Sequence, residues 1–151
     1  MTRRNLFICL ALTLCSPLFS PAQDKAPAAS QPHAVILIKS ESPSDWQANL
    51  TKIDEFIEKA KHQKAVVEVV VARGGLKLVD KDSPMAAKVL SLLEEKVEVV
   101  ACKTSMDVNK MPLSRLLPGV GIVPGAGEEI ESRKQLGWQQ LEAVDTMPLS
   151  K

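Results

Sequence analysis

Residues 65–72 read AVVEVVVA, an apolar run broken only by Glu68. Successive side chains of a strand point to opposite faces, so a run apolar at nearly every position has no face to give to water. Such a strand is buried on both sides, as in a parallel sheet covered by helices. Two more segments share this character, Ala34–Ile38 (AVILI) and Val97–Cys102 (VEVVAC). Between them lie stretches of helical period. After the turn Ser42-Pro43-Ser44-Asp45, which has helix-cap chemistry, Trp46, Leu50, Ile53, Ile57 and Ala60 recur on one helical face, while Lys52, Glu55, Glu58, Lys59 and Lys61 occupy the other as a solvated stripe. Arg73-Gly74-Gly75 breaks the second strand, and Ser83 and Pro84 fit the N-cap and first position of a helix that buries Ala86, Val89, Leu90 and Leu93.

After the third strand, Thr104-Ser105-Met106-Asp107 fits a capping box, and Pro112 stops that helix by Met111. Leu116-Leu117-Pro118-Gly119 reads as a turn and Val120–Val123 as a short fourth strand. Gly125-Ala126-Gly127 leads into a helix with Glu128 and Glu129 in its first turn, Arg133 and Lys134 near its end and Gly137 as its stop. Trp138–Leu141 supplies a fifth, edge strand. Strands alternating with helices in this way predict an α/β fold of about five mostly parallel strands with helices on both faces.

The first residues belong to a different kind of segment. Arg3 and Arg4 precede an apolar stretch from Leu6 to Leu14, and Ser20-Pro21-Ala22 offers small residues at a signal-peptidase site. Residues 1–22 are therefore expected to be a cleaved signal, residues 23–33 a flexible leader rich in Ala, Pro, Ser and Gln, and residues 34–151 a single domain in the periplasm or outside the cell. The Arg3-Arg4 pair also resembles a twin-arginine signal, and Leu12-Thr13-Leu14-Cys15 a lipoprotein box with a bulky residue where a small one is usual. No stretch approaches the roughly 20 apolar residues of a membrane-spanning helix. The formal net charge of +1 loses Arg3 and Arg4 on cleavage, which leaves no electrostatic footprint for nucleic acid.

Cleavage would also remove Cys9 and Cys15, leaving Cys102 as the sole cysteine of three. A lone thiol in an oxidising compartment is buried and inert, paired with another molecule, or reactive. Cys102 stands at the carboxyl end of the third strand, the edge where open α/β sheets bind ligands. Lys103 adjoins it, Thr104 and Ser105 offer hydroxyls, and the amides of the following helix favour an anion there. Arg73-Gly74-Gly75, after the second strand, lies on the same edge of a parallel sheet. The plainer alternatives are a thiol that merely packs the strand end and a glycine-permitted turn with a solvated arginine. Cys102 with Met106 and Met111 would suit copper(I) as thiolate and thioethers, although helical methionines are commonly core residues, and no metal or other cofactor is expected. His33 and His62 stand apart from this region. Gly125-Ala126-Gly127 is a weak phosphate signal beside Glu128 and Glu129. No Ser/His/Asp set, metal-binding carboxylate pair or Walker loop is present, which argues against a hydrolase.

The chain resembles the DsrE/DsrF-like family, in its exported single-domain form. The resemblance runs from Ala34 to about Leu141 and is carried by GLKLVDKDSP at Gly75–Pro84, VEVVACKTSM at Val97–Met106, LLPGV at Leu116–Val120 and the helix running into Gly137-Trp138. It implies a flavodoxin-like three-layer sandwich assembled as a homotrimer or homohexamer. Leu113, Leu116 and Leu117 offer apolar surface for such subunit contact or belong equally to the core. The resemblance also implies sulfur relay, in which a cysteine at the position of Cys102 accepts sulfur as a persulfide from a donor protein and passes it to an acceptor. Such a protein is a sulfur carrier or weak sulfurtransferase rather than a turnover enzyme. Where similar exported sequences carry Gly-Asn-Thr after the cysteine, this chain has Lys103-Thr104-Ser105; where they carry His-Gly-Pro-Gly after the second strand, it has Arg73-Gly74-Gly75. Both changes put a basic residue beside the expected site. In this reading Cys102 is the nucleophile, Lys103 and Arg73 lower its pKa or hold an anion, and Thr104 and Ser105 orient the transferred group. The other reading is a non-catalytic oligomeric module that binds a small ligand or protein, with Cys102 packing the strand end.

Overall fold

The structure, a computed structural model, describes residues 31–60 and 63–146. The expected signal, most of the leader, and His62 lie outside the described residues. The elements run β1 (His33–Ile38), α1 (Pro43–Lys59), β2 (Val66–Val71), a 3-10 segment (Arg73–Val79), α2 (Ala86–Glu94), β3 (Glu98–Cys102), α3 (Lys103–Val108), a 3-10 turn (Leu113–Arg115), β4 (Gly121–Val123), α4 (Ala126–Gln135) and β5 (Gln139–Leu141). The five strands form one sheet in the order β4-β3-β2-β1-β5, every neighbouring pair parallel. The valine run is β2, central and buried from Val67 to Val71.

Strand order decides where the helices go. Each step from β1 to β4 moves one place in the same direction, so right-handed crossovers carry α1, α2 and α3 over one face. The step from β4 to β5 reverses direction across the sheet and puts α4 alone on the other. The core divides accordingly. Ile36, Val69, Val99 and Ala101 pack with Trp46, Leu50 and Ile53 of α1, Leu92 of α2 and Met106 of α3 on the first face. Val35, Val70, Cys102 and Val123 pack with Ala126 and Ile130 of α4 on the second. This is the flavodoxin-like three-layer arrangement.

Some local expectations change. Ser83 and Pro84 form a turn before α2, with the Ser83 hydroxyl accepting from the Met85 amide at 3.2 Å, and the helix proper starts at Ala86. Leu92 is fully buried, while the expected Leu90 and Leu93 are only partly so. Leu116 and Leu117 belong to the core, which leaves only Leu113 of the expected contact surface exposed. The Thr104–Asp107 capping box does not form, because α3 begins directly at Lys103 with Cys102 as its N-cap. Thr104 instead donates its hydroxyl to the Pro124 carbonyl at 3.0 Å, and Asp107 pairs with Lys103. Asp45 ties down the chain beyond β5, accepting from the Thr146 amide and hydroxyl at 2.9 and 2.8 Å.

Candidate functional site around Cys102

β3 and β4 are neighbours whose connections leave for opposite faces, α3 toward the first and α4 toward the second. A crevice opens outside the carboxyl ends of two such strands, and ligands of open α/β sheets bind there. Cys102 ends β3 at this switch point. Its register partner is Val123 at the end of β4, so the first residues of both α3 and α4 lie beside it.

The thiol is buried, with the residue 4% exposed, and makes no capping hydrogen bond at the start of α3. Burial pushes the Cys102 thiol up, yet the Ser105 hydroxyl and the backbone amides of Ser105, Ala126 and Thr104 outweigh it, and the net effect holds it below its ordinary value. Two of these amides open α3 and the third opens α4. Helix-start amides have no intrahelical acceptor and carry the positive end of the helix dipole, so a thiolate is better solvated there than a thiol. The segment Gly125-Ala126-Gly127, weighed above as a phosphate signal, thus bears on the Cys102 pKa through the Ala126 amide.

The remaining predicted residues separate. Ser105, Thr104, Arg73 and Gly74 line one cleft of about 910 Å3 on the carboxyl edge of the sheet. Ser105 links this cleft to the buried sulfur through its hydroxyl. Lys103 is exposed and engaged with Asp107, outside the cleft lining, and the donors that lower the Cys102 pKa are the amides and the Ser105 hydroxyl. Gly75 lies in the packing beneath. A Cβ on it would come within 2.2 Å of the Ile38 carbonyl oxygen, and its amide donates to the Lys39 and Ala72 carbonyls at 3.0 and 2.9 Å. Gly74 packs nearly as closely, 2.8 Å separating its ideal Cβ position from the Glu41 Cβ. Arg73, just before them, holds φ at +52°. That left-handed conformation costs a non-glycine residue about 1–2 kcal/mol. Among the described residues three other basic residues share it: Lys96 and Lys110 each follow a helix end, where a left-handed residue is a regular terminating device, and Lys64 lies just before β2. Arg73 follows a strand.

Sequence reading missed Lys110 and Arg115 in the same cleft, because each is a lone exposed-type cation without a motif. It also passed over Glu68. This residue is fully buried under α4, paired with Arg133, which also reaches Glu129 at 2.9 Å and Glu98 at 3.7 Å and stacks over the Trp138 ring at 4.6 Å. A single acid inside a valine run was the available signal. Met106 and Cys102 lie in cores on opposite faces of the sheet, which separates the thioether from the thiolate. Among the described residues no cluster of His, Cys, Asp and Glu is fit to hold a metal ion, and no helix is long and apolar enough to cross a membrane. His33 meets Trp138 at a tilt, with ring centroids 5.0 Å apart and planes at 45°, at the start of β1 and away from the cysteine.

No protein-family model matches the chain, and no curated protein matches it in sequence. Solved structures do. MTH1491 of Methanobacterium thermoautotrophicum, a protein of unknown function, is similar with a TM-score of 0.70 at 22% identity, the match covering 73% of this chain and 97% of that one. BT1422 of Bacteroides thetaiotaomicron, a conserved protein of unknown function, gives 0.58 at 15%, covering 72% and 92%. The YchN protein of E. coli gives 0.54 at 14%, covering 73% and 96%. At these identities the likeness is one of architecture, and the chain has the fold that MTH1491, BT1422 and YchN share.

Proposed function

We propose that the protein is an exported, DsrE-like sulfur carrier that works without a cofactor as a homotrimer or homohexamer, loading sulfur on Cys102 and handing it to an acceptor. The observation that supports this reading best is the place of Cys102 at the crevice between β3 and β4, where the starts of α3 and α4 meet and the Ser105 hydroxyl and neighbouring backbone amides hold its pKa below the ordinary value. The chemistry is a pair of displacements. The Cys102 thiolate attacks the outer sulfur of a donor persulfide, R–S–SH, forming the new S–S bond as the donor's S–S bond breaks and the donor leaves as a thiolate. An acceptor thiolate then attacks the outer sulfur of the Cys102 persulfide, and the Cys102 thiolate is released. Each step moves one sulfane sulfur without net oxidation or reduction, and the same donors that favour the thiolate make it a good leaving group.

Intact mass of the native protein before and after exposure to a persulfide donor tests this, with Cys102→Ser alongside. One sulfur atom gained by the wild type and none by the variant is the expected result. A different observation favours the second reading, a binding module with a structural cysteine: Cys102 packs among Val35, Val70, Val123 and Ile130 and is almost wholly buried. A thiol that takes up no sulfur and resists alkylation until denaturant is added would establish that reading and remove the first.

A further inference from the structure

We propose that the cleft in front of Ser105 is a binding site for an organic anion with an apolar body, a carboxylate or sulfonate whose charge is met by Arg73 and Lys110. This goes beyond sulfur carriage, since neither cation bears on the thiol. Four cations line the cleft, and two are already neutralised: Lys77 pairs with Glu41 at 2.8 Å, and Arg115 with Asp80 and, at 2.7 Å, with Asp82. Among the described residues Arg73 and Lys110 take part in no ion pair, so the lining keeps an uncompensated positive charge.

The walls add the second half of the specificity. Leu76, Val108, Met111 and Pro112 line the same space, and Val108 is 78% exposed, an apolar side chain left facing the cleft with no protein partner over most of its surface. A volume of about 910 Å3 falls in the range of small-molecule sites, roughly 300–1,000 Å3, and is far more than a sulfate-sized ion would fill. Thr104, Ser105 and Asn109 supply the few polar contacts that fix orientation in such sites. Placement of Arg73 is also rigid. The backbone just after it is packed against the Lys39–Glu41 segment, and the residue is held in a left-handed conformation that no helix end demands, the kind of strain that persists at ligand sites.

The test uses the fluorescent sulfonate 8-anilinonaphthalene-1-sulfonate as probe and octanoate as competitor. The wild type should bind the probe saturably, octanoate should displace it, and sodium sulfate at equal ionic strength should not. Arg73→Gly/Lys110→Gly removes both charges while relieving both left-handed positions, so its melting temperature should stay the same or rise as probe affinity falls at least tenfold. Lys64→Gly, which relieves a left-handed lysine outside the cleft, should bind within twofold of wild type. Undiminished affinity in the double variant, displacement by sulfate as effective as by octanoate, or no saturable binding at all would each overturn the proposal.

Discussion

A thiol that finishes a buried strand is ordinarily held neutral, because desolvation penalises the charged form. At Cys102 that penalty is the largest single influence, and it is outweighed by the Ser105 hydroxyl and the amides of Ser105, Ala126 and Thr104. The folded-state pKa therefore lies below the unfolded one. A group shifted this way contributes stability that is present above its unfolded pKa and is lost as pH falls through the folded pKa. Thiolate absorbance of the native protein should accordingly titrate with a midpoint below that of the unfolded chain. Ser105→Ala should move the midpoint upward, and Cys102→Ser should lose the gain in stability on going from neutral to mildly alkaline pH. A native midpoint at or above the unfolded one would mean that burial wins. The position of Cys102 at the end of a strand was legible from VEVVAC and the polar residues after it. The Ala126 amide was not, because it comes from the neighbouring strand's connection, 24 residues further along the chain.

α4 was expected from Gly125 to Gly137, and its caps and charge pattern place it there. What docks it is unusual. Only Ala126 and Ile130 of the helix are buried, packed on Val35 and Val70, and a second attachment to the centre of the sheet is the pair between Arg133 and the fully buried Glu68. Burial raises the Glu68 pKa, Arg133 lowers it, Glu129 and Glu98 raise it again, and the net direction is up. For a carboxyl raised in the folded state, the stability present below its unfolded pKa is lost as pH rises through the folded pKa. Glu68→Gln should remove that loss and leave the protein equally or more stable at neutral pH. Arg133→Ala strands the buried carboxylate and should cost about 3–5 kcal/mol at neutral pH. Its cost should shrink in acid, where Glu68 can be neutral. Denaturant unfolding of both variants at neutral and acidic pH checks the two signs. The pairing was illegible in sequence because Glu68 and Arg133 are brought together only by the crossover from β4 to β5.

Across the molecule, β1, β2 and β3 form the continuous centre, whereas β4 and β5 are three-residue edges. Native-state hydrogen exchange should be slowest in Val35–Ile38 and Val67–Val71 and fastest in β5 and the last turn of α4, whose end carries the exposed Leu136. Protection in β5 equal to that of β2 would show one indivisible unit instead. The sequence alone determined that this is a parallel α/β sheet, because strands apolar at nearly every position have no stable place except between layers of helices. It also determined the order of the elements and the strand end that carries the cysteine. Tertiary structure alone decided the strand order β4-β3-β2-β1-β5, and from it the split of helices over two faces, the crevice at Cys102, and the burial of Glu68 beneath Arg133. It likewise gathered Arg73, Ser105 and Lys110 around one cleft. The physical reason is that hydrophobic periodicity reports how much of each element is buried, while the partner that buries it is chosen by long-range packing to which local pattern is blind.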